Sequence, residues 1–280
     1  MIELLVVVAV LGILASILMP VLGTAREAAR TTLCASNLRQ IGTALSAYEA
    51  DHRGRYAPGA PNFTTHNLVR WFGSRPSASA PFTEHGGPLS PYLGDRSVRD
   101  CPTFLPVTRQ LALSGRGFER RAGGYGYNSA YAGTTRTRAP HAPGVWLLVT
   151  DRLGASSALF TSPSSTLAFA DTALSADPSS GPQGLVEYSF AEPPVRPEAE
   201  DADAPGSRPD PSLHFRHVGD RPDRGVPGVV NIVHLDGHVA RSSRGSTASS
   251  TLYGPSALAP ALGWPDAPMG HDRFAYEPRR

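Results

Sequence analysis

From Leu4 to Leu22 the chain carries no charged side chain, an uninterrupted run of 19 residues. At about 1.5 Å of rise per residue, a helix of that length spans about 28 Å, close to the hydrocarbon thickness of a bilayer. A single carboxylate, Glu3, stands at its mouth. No turn signal follows Leu22. Instead Cys34, Leu38, Ile41, Leu45 and Tyr48 recur at spacings of 4, 3, 4 and 3, the seam of a helix with one buried face. Arg30, Asn37, Arg39, Gln40 and Glu49 fall elsewhere on the wheel. One continuous helix to about Asp51 is the economical expectation, its first half compatible with lipid and its second lying on something folded. Pro20 removes one backbone bond and is expected to kink it.

The segment Ile2-Glu3-Leu4-Leu5-Val6-Val7-Val8-Ala9, continuing through Gly12-Ile13-Leu14-Ala15, Pro20 and Ala25-Arg26, resembles the N-terminal segment of type IV pilins and type II secretion pseudopilins. The string Cys34-Ala35-Ser36-Asn37-Leu38-Arg39-Gln40-Ile41-Gly42 is similar to a bacterial subgroup of these pilin-like proteins. A carboxylate at depth in a membrane costs on the order of 2.5–3.5 kcal/mol or more unless it finds a partner. The resemblance implies that Glu3 finds one in the N-terminal amine of a neighbouring subunit, so that its charge is neutralised on assembly. A glutamate snorkelling to the interface is the alternative.

The resemblance also implies prepilin-type cleavage after a glycine and N-terminal methylation. Basic residues flank the cytoplasmic side of a span, yet here Arg26 and Arg30 follow the run. A basic leader encoded upstream and ending in Gly is expected to reverse that orientation. The implied location is the inner (cytoplasmic) membrane, single-pass, with the globular part on the periplasmic or extracellular side. Implied partners are like pilin or pseudopilin subunits, the prepilin peptidase, an assembly platform and membrane lipid.

Two cysteines, Cys34 and Cys101, are present without a Cys-x-x-Cys pattern, and two thiols alone do not make a zinc site. Cys101 lies in R-D-C-P-T-F, which resembles a recurring Cys-Pro element of the family. Outside the cytoplasm a Cys34–Cys101 disulfide is the natural pairing, two separate buried thiols being the alternative. Closing 67 residues of chain in this way is worth roughly 4 kcal/mol before strain.

The net charge of +2 is too small to argue for nucleic acid, which is not expected as a partner, and the basic residues are all arginine. Glycine and proline, 28 and 27 residues, predict a loop-rich domain. Arg53-Gly54-Arg55-Tyr56-Ala57-Pro58-Gly59 stops the helix. Trp71-Phe72 and Pro91-Tyr92-Leu93 are apolar anchors. Gly123-Gly124-Tyr125-Gly126-Tyr127-Asn128 lacks the Lys-Ser/Thr of a phosphate loop and looks like a family strand in which glycine permits close backbone approach. Val145–Asp151 and Ser165–Asp171 read as buried strands that end in aspartate, and Val186–Phe190 as a shorter one. Paired aspartates at strand ends could be catalytic or bind a cation, but more often they terminate strands by accepting from loop amides, which is the expectation here. Residues 192–212 form an acidic, proline-rich loop. Its Glu198, Glu200, Asp201 and Asp203 lack the glycine-turned ladder of a calcium loop, which favours a solvated coil.

His214, His217, His234, Asp236 and His238 invite a metal reading. Asp236-Gly237 between apolar arms signals a two-residue hairpin, in which Leu235 pairs with His238 and His234 with Val239. The two histidines then point to opposite faces, and no metal site is expected there. Arg216-His217 and Asp236-Gly237-His238-Val239 resemble a C-terminal module associated with prepilin-type processing. Eighteen residues separate His217 from Asp236, longer than the family spacing, and the excess falls at Gly219–Pro227.

The expected fold is α+β, a long N-terminal helix on an antiparallel sheet, pilin-like and loop-rich. Residues 1–22 form the transmembrane or fibre-core half of the helix and 23–52 its amphipathic half. Residues 53–245 form the globular β-rich domain, and 246–280 an irregular tail with some docking through Trp264, Phe274 and Tyr276. The function expected is a structural subunit, not an enzyme and without a cofactor, assembled through its helix into a secretion- or pilus-type fibre. Two alternatives stand beside it. One is a secreted or anchored binding protein using residues 1–25 as signal peptide or anchor, since Gly23-Thr24-Ala25 offers a small-residue cleavage site. The other is a histidine-dependent metal enzyme at residues 214–238.

Overall fold

A computed structural model describes residues 2–94, 100–114, 119–138, 146–175, 184–193, 211–217, 228–244 and 262–263. The acidic residues 198–203, the 219–227 stretch, Val145, Trp264, Phe274 and Tyr276 lie outside it. The first element is one helix, α1 (Ile2–Asp51), which runs on through Gly12, Pro20, Gly23 and Gly42. At about 1.5 Å per residue it is about 75 Å long. Glu3 to Arg26 is exposed throughout, with Leu4 at 73% and Met19 at 73%. Its most apolar window has a mean hydropathy of 2.9, so the helix is long and apolar enough to cross a bilayer.

From Thr31 onward the same helix is half covered. Thr31, Cys34, Leu38, Ile41, Gly42, Ala44 and Leu45 are buried, and Tyr48 is partly so. The periodicity thus marks the packed face, and Thr31 extends it by one turn. Burying Leu38, Ile41 and Leu45 contributes about 1.5–3 kcal/mol each. The helix ends where Arg53 and Gly54 take positive φ, 57° and 71°.

The face of α1 lies on a four-stranded antiparallel sheet. Its strands are β3 (Tyr125–Tyr127), β6 (Leu167–Asp171), β10 (Val229–His234) and β11 (Val239–Ser243), ordered β11-β10-β6-β3. β6 is central and all five of its residues are buried, as an L-A-F-A-D string predicts. Gly126 in β3 is held close to its neighbours, because a Cβ there would lie 2.5 Å from Thr172 Cγ2 and 2.6 Å from the Phe190 carbonyl carbon. Trp71 and Phe72 are fully buried, Trp71 edge-on to Phe169. The fold is α+β with extensive irregular segments.

Among the described residues, four two-stranded ribbons accompany this sheet. They pair β1 (Val69–Arg70) with β2 (Gly73–Ser74), β4 (Thr135–Arg138) with β5 (Trp146–Thr150), β7 (Leu174–Ser175) with β8 (Leu185–Val186), and β9 (Leu213–His214) with β12 (Leu262–Gly263). The described residues also include the short helices α2 (Ser90–Leu93) and α3 (Leu105–Ser114). The tail therefore gives at least one short strand to the domain, with Leu262 buried.

Two strand expectations need correction. β5 was expected to be buried, but Leu147, Leu148 and Val149 are 47%, 42% and 58% exposed. It pairs with β4 in a separate ribbon, so an apolar run does not here mark a central strand. The strand expected over Val186–Phe190 shortens to β8, after which Phe190 makes only an isolated parallel bridge to Tyr127.

The hairpin after β10 is also one residue out of the expected register. Val233 pairs with Val239, and the His234 amide donates to the His238 carbonyl at 2.9 Å. Leu235, Asp236 and Gly237 form a three-residue loop, with Gly237 at φ +86°. This is the loop that places glycine in the left-handed position beside a bulge. His234 and His238 accordingly lie on one face and stack, ring centroids 4.1 Å apart and nearly parallel.

Candidate functional site

Four separate parts of the chain converge under α1. Cys34 comes from the helix seam. Cys101 precedes α3, its amide donating to the Gly123 carbonyl and its carbonyl accepting from the Phe104 and Leu105 amides. Asp171 is the last residue of β6. Arg216 and His217 follow β9, and His217 exchanges both backbone bonds with Val229 at the start of β10. All five side chains are buried.

Asp171 is the hub. Its Oδ1 accepts from Arg216 Nη2 at 3.1 Å. Its Oδ2 lies 3.1 Å from His217 Nε2 and accepts from the Asn231 amide and Nδ2 at 2.9 and 3.1 Å. Burial alone would raise this carboxyl, yet the His217 and Arg216 charges bring it down to about 2. Burial would likewise neutralise His217, but Asp171 holds it up to about 9. Arg216 also donates to the Gly124 and Thr172 carbonyls at 2.6 and 3.1 Å and lies over the Phe104 ring at 4.6 Å. Its neighbour His214 is pushed the other way, first by burial and then by Arg216.

The cluster so far holds two cations and one carboxylate. The sulfurs face that excess of positive charge. Cys101 Sγ lies 3.9 Å from His217 Nε2 and 2.7 Å from Cys34 Sγ. Burial opposes ionisation of Cys101, but the Cys34 thiol, Arg216 and His217 together hold it well below the usual thiol range. Cys34 moves upward, through its hydrogen bond to Cys101 and then burial. The site therefore favours one thiolate beside one thiol. That is the arrangement from which a disulfide forms or a soft cation is bound.

The other face of His217 is also furnished. Nδ1 lies 3.4 Å from both Thr31 Oγ1 and Thr103 Oγ1, and 3.8 Å from Glu27 Oε1. Thr31 and Glu27 belong to the first turns of α1 beyond the apolar run. The junction of the helix with the domain is thus built around His217.

The residues singled out in the sequence fall in three places. Cys34, Cys101, Arg216 and His217 meet in this cluster. Asp236, Gly237 and His238 lie at the far end of β10, where His238 Nδ1 contacts Asp236 Oδ1 at 2.7 Å on the surface. The two halves of the C-terminal module are therefore separated by the length of β10. Glu3 lies at the exposed start of α1. Asp151 accepts from the Thr64 amide and hydroxyl, as a strand-ending aspartate should. Asp171 does not behave that way. Sequence gave it a loop-capping role, whereas it neutralises two buried cations. A signal existed in L-H-F-R-H: two basic residues in a buried apolar string need a carboxylate, and β6 ends in one.

A family described as a protein of unknown function (DUF1559) matches residues 23–88. The matched stretch covers the end of the exposed helix half, the packed seam and the first loops of the domain. The chain is similar to that family over those residues. No curated protein and no solved structure matches the chain.

Proposed function

We propose that the protein is a structural, pilin-like subunit, stored in a membrane through the first half of α1 and assembled through that half into a secretion- or pilus-type fibre. The observation that carries this is that one helix has two environments. Leu4 to Leu22 is uncharged and exposed, while Thr31 to Leu45 is seated on the sheet. A helix driven only by its own domain has no use for about 28 Å of uncovered apolar rod. Lipid covers it before assembly and neighbouring helices cover it afterwards, with Glu3 meeting a subunit's N-terminal amine as the register device. The prepilin peptidase and an assembly platform are the partners this requires, and the domain lies on the periplasmic or extracellular side. There Cys34 and Cys101 close as a disulfide that pins the helix.

The mature N-terminus, read by mass spectrometry on membrane-extracted protein, tests this. A chain that retains Glu3 and the whole apolar run is expected. Glu3→Leu should remain in the membrane yet disappear from the sheared surface-fibre fraction. A mature N-terminus at Arg26 would establish a secreted protein with a cleaved signal peptide instead.

A further inference from the structure

We propose that, when its cysteines are reduced, the junction between α1 and the sheet is a binding site for one divalent, thiophilic cation of the zinc type, held by Cys34, Cys101, His217 and Asp171. One donor atom from each residue lies within 4.8 Å of the others, and all four residues are buried. Two sulfurs, an imidazole and a carboxylate are a donor set that tetrahedral zinc accepts. The sequence offers no sign of it, because the four ligands come from residues 34, 101, 171 and 217.

Three further features fit a ligand set. His217 points Nε2 at Asp171 and Cys101 and leaves Nδ1 to Thr31, Thr103 and Glu27. A metal-bound histidine is oriented by this kind of outer contact. Asp171 is steadied by Asn231 on one oxygen and Arg216 on the other. Charge also closes: a divalent cation plus Arg216 offsets two thiolates and one carboxylate. On binding, the Cys34 thiol proton and the His217 proton leave to solvent, and His217 coordinates as neutral imidazole. The sulfurs, 2.7 Å apart, would open to roughly 3.7 Å, the edge of a tetrahedron with metal–sulfur bonds of about 2.3 Å. Disulfide and metal are thus alternative closures of one junction, chosen by redox state. The site belongs to the domain, so it stands or falls independently of fibre assembly.

The test uses the full chain in detergent micelles, reduced under argon with a phosphine and stripped of metal, then titrated with Co²⁺. One equivalent should bind with tetrahedral d–d bands and a near-ultraviolet thiolate charge-transfer band, and Zn²⁺ should displace it. Cys34→Ser with Cys101→Ser should abolish that band. Thr103→Ala, which removes a hydroxyl shared by the outer nitrogen of His217 and Glu27 and touches no ligand atom, should weaken binding by about tenfold. Absence of the charge-transfer band overturns the proposal. So does binding that His217→Gln and Thr103→Ala leave unchanged, or a Cys34–Cys101 bridge that resists reduction while the protein stays folded.

Discussion

Gly42 of α1 rests on Val233 of β10 so closely that a Cβ at Gly42 would lie 2.8 Å from Val233 Cγ2. Valine is stiff at χ1 and cannot swing aside. Gly42→Ala should therefore destabilise the protein, although the same change gains about 1 kcal/mol of helix propensity on an open face. Gly23, with nothing within 4 Å, is the control, and Gly23→Ala should leave stability unchanged or slightly raised. Urea midpoints followed by Trp fluorescence, with Trp71 wholly buried, distinguish the two. A Gly42→Ala protein as stable as the parent would show that helix and sheet are not seated this closely.

Asp171→Asn should be among the most damaging conservative changes. It keeps shape but leaves Arg216 and His217 buried without their counter-charge. A loss of about 3–5 kcal/mol is expected from stripping one partner from a buried pair. Urea titration of the full chain in micelles measures it.

The same pair gives the protein with its cysteines reduced a definite pH profile. Asp171 titrates at about 2 in the folded chain against 3.8 ordinarily. Its contribution is present above about pH 4 and disappears as pH falls toward 2. His217 titrates at about 9 against 6.5, so its contribution is present below 6.5 and is lost as pH rises through 9. A plateau between those limits is expected, falling on each side by on the order of 2–3 kcal/mol, a figure that the pair shares. Melting temperature against pH should show it, and His217→Gln should remove the alkaline fall.

Gly237 isolates a backbone effect. Its φ of +86° lies in the left-handed region, and a Cβ there would meet nothing within 4 Å. Gly237→Ala should cost about 1–2 kcal/mol through conformation alone, and Gly237→Asn less. The shift in thermal midpoint reads this directly.

Peptide mapping without reductant should recover Cys34 and Cys101 in one linked peptide from protein isolated on the outer side of the membrane. Free thiols at both positions in that material would defeat the disulfide.

Much of the helix was legible because its signals are local. An uncharged run and a 4-3-4-3 spacing report on the residues that carry them, and Leu38, Ile41 and Leu45 are buried as the spacing requires. The sheet was less legible where burial depends on distant partners. Leu147 and Leu148 look like core, yet their ribbon leaves them 47% and 42% exposed. The hairpin shows a finer limit, since Asp-Gly fits both a two-residue and a three-residue loop. The choice between them moves His234 and His238 from opposite faces to one. The charged junction was the least legible part. Cys34 and Arg216-His217 each stood out, but Asp171 is 45 residues from Arg216 in sequence and meets it where Thr172 bridges to Leu213 of β9.

The division of α1 into an uncovered half and a seated half also has a mechanical side. A pull along the helix axis from its first half reaches the domain through Thr31, Cys34, Leu38, Ile41 and Leu45, which lie in a row along that axis. Such a load shears all of these contacts together instead of peeling them one by one. Cys34 sits near the loaded end of the row, so a bond from Cys34 to the domain would take the strain before the apolar seam begins to slide.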